Sequence, residues 1–294
     1  MRRICRVLGL VFAVWVWVLR PACADEDAFR AAIRTGDRNR VSRMLATNAA
    51  ALKRADPTGR TALHWTAERG DGRLLRLLLD HGADVAARDA HGNTPLHLAA
   101  KAGQAAAVAL LLDRGADARA PTLCNYTPLH LAAWSGNAKT IKLLLARGAD
   151  VHAHDYDHRT PLHYASTRGA VVALVKAGAE VNARYNPWSR TPLLDAARHG
   201  FPDAVAALLD HGANLRAADD SHFTALHWAA WAGHTEVVRL LLRRGADPLY
   251  LDDSDHPAIF WAELRGHAAV ARLLKKVMRR APHPVPVKDP TPWG

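Results

Sequence analysis

A short phrase recurs along this chain at nearly constant spacing: TALH at Thr61, TPLH at Thr94, Thr127 and Thr160, TPLL at Thr191 and TALH at Thr224. The intervals are 33, 33, 33, 31 and 33 residues. A period in the low thirties marks an array of small stacked units, each too small to bury its apolar face alone. Function then belongs on an extended surface shared by several units rather than in one deep pocket.

One period, residues 89–120, shows how a unit is built: DAHGNTPLHLAAKAGQAAAVALLLDRGADARA. A turn over 89–93 leads to Thr94 as the N-cap of a first helix. Pro95 sits at the first helical position, where a missing N–H costs nothing. Gly103 ends that helix, and a second helix presents Val108, Leu111 and Leu112 to neighbouring units before Gly115 stops it. Gly70, Gly136, Gly169, Gly200, Gly233 and Gly266 match Gly103. Gly82, Gly148, Gly178, Gly212 and Gly245 match Gly115. Two residues before each helix start the chain reads Gly59, Gly92, Asn125, His158, Ser189, His222 and Asp255. Most of these residue types tolerate positive φ, so the column predicts one left-handed turn position used in every unit.

The phrase, its period and these flanking residues resemble the ankyrin repeat family, whose signature opens at T-P-L-H-x-A. The resemblance covers most of residues 27–280. It implies an all-α repeat solenoid in which each unit is a β-turn followed by two antiparallel helices, with about seven to eight units including degenerate caps. The expected organisation is a signal peptide over 1–24, an N-terminal capping repeat over 25–57, the repeat array over 58–252, a C-terminal capping repeat over 253–280 and a Pro-rich tail over 281–294. In the N-terminal unit Phe29, Ile33, Val41 and Leu45 are expected to face inward. At the other end Pro257-Ala258-Ile259-Phe260 replaces TPLH, and the last helix closes on Lys275, Lys276, Arg279 and Arg280. The fourth full unit has eight residues between Gly169 and Gly178 where its neighbours have eleven, and the next turn gains one residue. That spacing predicts a second helix shortened by nearly one turn.

The chain opens with MRRICR, an apolar run from Val7 to Leu19 and Ala22-Cys23-Ala24 before Asp25. This pattern predicts a cleaved signal peptide with an A-x-A site, and the run is shorter than the roughly 20 residues a membrane span requires. The expected location is the periplasm or the exterior of a bacterial-type cell, with no membrane span after cleavage. Removing Arg2, Arg3, Arg6 and Arg20 leaves a net charge of 39 − 4 − 28 = +7. The basic residues are spread through every unit, and export takes the product away from nucleic acid. An anionic protein partner or a membrane surface fits better than DNA or RNA. Cys5 and Cys23 leave with the signal, so only Cys124 remains and no intramolecular disulfide can form.

The 17 histidines invite a metal reading. Five of them, His64, His97, His130, His163 and His227, belong to the repeated phrase, where the resemblance implies that the imidazole bonds to neighbouring turn backbone. Stacked equivalents lie about 10 Å apart, the packing distance of helices, too far to share a zinc ion. The remaining candidates are His152, His154 and His158, in the run His152-Ala-His-Asp-Tyr-Asp-His158, which together with Cys124 define an alternative function as a metal-handling or redox-sensing protein. No G-x-S-x-G, phosphate loop or H-E-x-x-H phrase is present, so the chain is not expected to be an enzyme or to carry a cofactor.

In the family, partners contact the turn tips and the exposed side of each first helix, which together line a concave face. Matched by position, the partner-binding residues implied here are Tyr126, Trp134, Tyr156, Arg159, Trp188, Arg190, Arg198, Phe223 and Trp231. Aromatics and arginines at such places are the makings of binding hot spots. By contrast Trp65, Trp228 and Trp261 replace a leucine of the phrase, and packing between units explains them equally well. The resulting expectation is an exported, monomeric protein-binding module. Its partner would carry acidic and apolar patches, and its role would be that of an accessory factor or of an immunity or inhibitor protein for a periplasmic enzyme or toxin.

Overall fold

The computed structural model describes residues 28–185 and 188–279; the expected signal peptide and the tail over 281–294 lie outside the described residues. The first elements are α1 over 28–35, α2 (Arg38–Thr47) and a 3₁₀ turn (Ala49–Lys53). Helices then come in pairs joined by turns: α3 (Ala62–Arg69) with α4 (Gly72–Asp80), α5 (Pro95–Lys101) with α6 (Ala105–Asp113), and α7 (Pro128–Ser135) with α8 (Ala138–Ala146). After these come a second 3₁₀ turn (Pro161–Tyr164) with α9 (Arg168–Lys176), and α10 (Pro192–His199) with α11 (Pro202–Asp210). The last pairs are α12 (Ala225–Ala232) with α13 (Thr235–Arg243), and α14 (Ala258–Leu264) with α15 (Ala268–Met278). Among the described residues there is no strand, only isolated bridges that close individual turns, such as Ala218 with Thr224.

These helices form two compact units. One comprises the described residues up to Ala99 together with Ala106–Asp117, and the other comprises Ala100–Ala105 together with the described residues from Ala118 onward. The core of each repeats a small pattern. The second helices bury residues at i, i+1 and i+4, as in Leu74, Leu75 and Leu78, or Val237, Val238 and Leu241. Each such leucine stabilises the stack by about 1.5–3 kcal/mol relative to exposure. Phe29, Ile33, Val41 and Leu45 are all buried, while Leu112 is only half-buried and Ala107 takes its place against Val108.

Local geometry follows the residue types. All seven positions of the turn column have positive φ, from 50° at Ser189 to 79° at Gly59. An aspartate at the start of the turn holds that shape. In the turn over 219–223, Oδ1 of Asp219 accepts the N–H groups of Ser221 at 3.1 Å and Phe223 at 3.0 Å. Asp56, Asp155 and Asp252 hold the two corresponding N–H groups of their own turns in the same way.

Histidines of the repeated phrase fasten one repeat to the next. In the phrase at Thr127, Nδ1 of His130 accepts the Thr127 N–H at 3.1 Å, and Nε2 donates to the Arg159 carbonyl at 3.1 Å. His64, His163 and His227 reach the carbonyls of Asn93, Arg190 and His256 in the same way. Because a carbonyl can only accept, each ring carries its proton on Nε2. The second helices are tied similarly: His234 and His267 donate to the carbonyls of Arg198 and Trp231, both at 3.0 Å.

The irregular unit departs from the sequence expectation. Its second helix, α9, keeps nine residues, and it is the first helix that is cut down to the 3₁₀ turn Pro161–Tyr164. Gly169 lies inside α9 rather than at a helix end, and it is absent from the positive-φ positions. Thr167 caps α9, its hydroxyl accepting the Ala170 N–H at 3.2 Å while donating to the Gly136 carbonyl at 2.8 Å. Aligning on Gly169 therefore misplaced the deletion. The second helix, which buries Val171 and Leu174, is kept whole, and the first helix is the one shortened.

Candidate functional site

Four of the turn aspartates do a second task with the oxygen their turn leaves free. Trp65 Nε1 donates to Asp56 Oδ2 at 3.2 Å, Trp228 to Asp219 at 2.9 Å and Trp261 to Asp252 at 2.7 Å. Tyr164 donates to Asp155 in the corresponding place. In every case the ring lies nine residues after the carboxylate, at the helix position where other repeats have leucine. These tryptophans are therefore braces between turn and helix as well as packing residues. In the turn after Ala183 the roles are exchanged: Tyr185 stands in the aspartate's place and Asp195 in the ring's, and the Tyr185 hydroxyl donates to Asp195 Oδ1 at 3.4 Å.

Around this exchanged pair the second compact unit gathers a stripe of rings and guanidinium groups. Tyr126 and Tyr164 meet edge to face at 5.7 Å, and Arg159 donates to the Tyr164 hydroxyl at 3.2 Å while lying 4.7 Å from the centre of the Tyr185 ring. Arg190 lies 4.2 Å from the Trp228 ring and 5.3 Å from the Trp188 ring, and Arg198 lies 5.5 Å from Trp228. The Arg190 guanidinium also approaches Asp219 at 3.6 Å and Asp195 at 4.0 Å. Arg159 and Arg190 each meet two rings, which restrain them and leave less conformational freedom to lose on binding.

The electrostatics follow from burial. Asp195 is nearly inaccessible, and burial pushes its carboxyl up to about 6 against the pull of Arg159, Arg190 and Arg198. Burial also raises Tyr185 and Asp219. For Arg159, burial favours deprotonation, but the Tyr164 hydroxyl and the acidic groups of Tyr164, Tyr185 and Asp195 outweigh it and hold the guanidinium firmly cationic. Among the described residues, Asp195 Oδ2 and the Nε atoms of Arg159, Arg190 and Arg198 are buried without a hydrogen-bond partner.

The structure distributes the sequence-implied residues unevenly. Tyr126, Arg159, Trp188, Arg190 and Arg198 belong to the stripe. Phe223 joins it through Trp228 and Trp261, at 5.1 and 5.0 Å, and Trp231 through Trp228 at 5.7 Å with Arg265 over its ring at 4.6 Å. Trp231 is half-buried rather than exposed. Tyr156 stands alone at a turn tip, 72% exposed. Trp134 lies elsewhere, edge-on to His199 at 5.3 Å and to Phe201 at 5.7 Å, across the place where the irregular unit lacks its helical turn. His199, partly desolvated there and surrounded by Arg198, Arg159, His234 and Arg190, is pulled down to about 4. Tyr164, Tyr185, Asp195 and Asp219 were missed by the sequence reading. The visible signal was an aspartate in TPLLDAA at a position that elsewhere carries Leu, Trp or Tyr.

His152, His154 and His158 are exposed, and the His154 Nδ1 is engaged with the His158 carbonyl at 3.2 Å. Among the described residues no three His, Cys, Asp or Glu side chains converge to hold a metal ion. Cys124 is exposed. No helix of the described residues is long and apolar enough to cross a membrane.

A stack of turn-helix-helix units with a surface stripe of braced aromatics and arginines defines a repeat scaffold of the protein-binding class. The sequence pattern of ankyrin repeats matches residues 28–122, 117–185 and 162–252, and the chain belongs to the ankyrin repeat family, an all-α solenoid. Among solved structures it is similar to the human ASB11 ankyrin repeat domain, at 28% identity and a TM-score of 0.64, over 77% of this chain and 100% of that one. No curated protein sequence matches it.

Proposed function

We propose that the chain is a non-enzymatic binding protein that grips an acidic protein partner with the turn-tip and first-helix stripe of its second compact unit. Ankyrin repeats are in general protein-protein interaction modules. The observation that carries the finer reading is Arg159 and Arg190, each held over aromatic rings, with 19% and 11% of the side chain respectively accessible. Guanidinium groups held this way suit bidentate pairing with carboxylates, and the exposed Trp188 beside Arg190 and the separate, exposed turn-tip Tyr156 supply apolar contact. The basic leader, apolar run and A-x-A site support export to the periplasm with cleavage after Ala24. A mass for the exported product beginning at Asp25 is the expected result. In that compartment the protein acts on an enzyme or toxin, as accessory factor or as inhibitor.

The test is capture of the partner followed by affinity measurement with purified components, comparing wild type with Tyr156→Ala/Trp188→Ala. Both side chains are exposed, so the fold is retained. Binding is expected to weaken about 30-fold or more, the loss of a hot-spot pair, while Arg239→Ala on the second-helix side binds as wild type. Equal affinity for the double variant and wild type would place the interface on another face. An active partner that loses activity on binding assigns the inhibitory role; one that gains activity or stability assigns the accessory role.

A further inference from the structure

We infer that the first compact unit carries a separate site for an amphipathic carboxylate, a single negative charge on a small apolar body. A cavity of about 540 Å³ opens beside α1 and α3, within the size range of small-molecule sites. Its apolar lining includes Phe29, Ile33 and Ala62, all buried, and the Trp65 ring. Its polar lining is Arg30, Arg34, Arg54, Arg60 and a single acid, Asp56.

Among the described residues the lining is unevenly charged. Both oxygens of Asp56 are already committed: Oδ1 accepts Thr58 N–H at 2.8 Å, the Thr58 hydroxyl at 2.6 Å and Arg60 N–H at 3.0 Å, and Oδ2 accepts Trp65 Nε1 at 3.2 Å. Those bonds outweigh partial burial and hold its carboxyl below the usual range. Arg60 is neutralised by Glu68 at 3.2 Å and Asp89 at 3.8 Å, and its guanidinium lies 5.1 Å from the Trp65 ring centre. Arg30 donates to the neutral Ala55 carbonyl at 3.2 Å. The side chains of Arg34 and Arg54 make no ion pair or hydrogen bond with any described residue. Two guanidinium groups, those of Arg34 and Arg54, thus border an apolar hollow walled by an indole, with no counter-charge among the described residues. Water solvates the arginines well but leaves the apolar lining wet, whereas a carboxylate with a hydrocarbon or aromatic body satisfies both.

A free inorganic anion would use only the arginines and an uncharged alcohol only the lining, so the two halves can be tested separately. Calorimetric titration of the purified protein with decanoate is compared with decanol and with acetate, and repeated on Arg34→Gln/Arg54→Gln. Because neither arginine holds the fold together, the double variant is expected to melt with wild type. Decanoate is expected to bind wild type at least about ten-fold tighter than either control, and to lose about ten-fold or more on the double variant. Equal binding of decanoate and decanol, equal binding by wild type and variant, or no heat up to millimolar decanoate would each overturn the inference. An acidic peptide that binds where decanoate does not would reduce the cavity to a basic patch and overturn it as well.

Discussion

Thr127 and Thr191 occupy the same place in their repeats but have different neighbours. The Thr127 hydroxyl meets His130 Nδ1 at 2.9 Å, whereas Leu194 replaces that imidazole in the TPLL phrase and leaves Thr191 Oγ1 buried with no partner. An unpartnered buried hydroxyl costs stability, and a paired one contributes about 1 kcal/mol. Thr127→Val should therefore lower stability by about 1 kcal/mol, while Thr191→Val should leave it unchanged or raise it. Urea denaturation of the two variants checks this, and equal losses would contradict it. The turn column was legible in sequence because tolerance of positive φ belongs to single residues, and His158, His222 and Asp255 declare it themselves. The carboxylate braces were not, because Asp219 and Trp228 each have a sufficient local reason to be present. Only their shared nine-residue separation, repeated in three other turns, ties them together.

At the scale of elements, the irregular unit is where sequence and structure part. Its length showed that residues were missing, but not from which helix. Gly169 fits the glycine column by spacing alone, although its backbone is ordinary helix. With the turn gone, Trp134 reaches across to His199 and Phe201, so a residue read from sequence as a contact for partners also fills a structural gap. Trp134 remains 42% exposed, so Trp134→Ala should cost about 1–2 kcal/mol, less than a fully buried tryptophan would. The same place predicts unequal glycines. A Cβ on Gly136 would lie 2.4 Å from Thr167 Cγ2 and 2.7 Å from Ser166 Oγ, whereas one on Gly82 meets nothing within 4 Å. Both have positive φ, so Gly82→Ala should cost about 1 kcal/mol and Gly136→Ala at least about 1 kcal/mol more. Thermal melts of the pair measure the difference, and equal shifts would mean that α9 gives way freely.

Across the whole molecule, the histidines that fasten one repeat to the next set a common pH dependence. Burial lowers His130, His163 and His227 to about 4, and lowers His64 as well. An unfolded histidine titrates near 6.5, so between 6.5 and 4 the unfolded chain binds protons that the folded chain refuses. Stability is therefore complete above about pH 6.5 and falls as the pH drops toward 4, by roughly 3 kcal/mol for each histidine held near 4. Asp195 works in the opposite direction. Its folded value of about 6 lies above that of an unfolded aspartate, so its buried charge becomes less costly as the pH falls from 6 toward 4. Several histidines outweigh Asp195 and Asp219, whose carboxyls burial raises, and the net expectation is a steep loss of stability in mild acid, with little change between pH 7 and 8. Denaturation midpoints taken from pH 8 to pH 4.5 follow this directly. Replacing His163 by leucine, the residue the chain itself uses at position 194, should remove one share of the slope, because the substituted site has no proton to refuse. A slope unchanged by that substitution would move the acid sensitivity from the histidine column to the carboxylates that hold the turns.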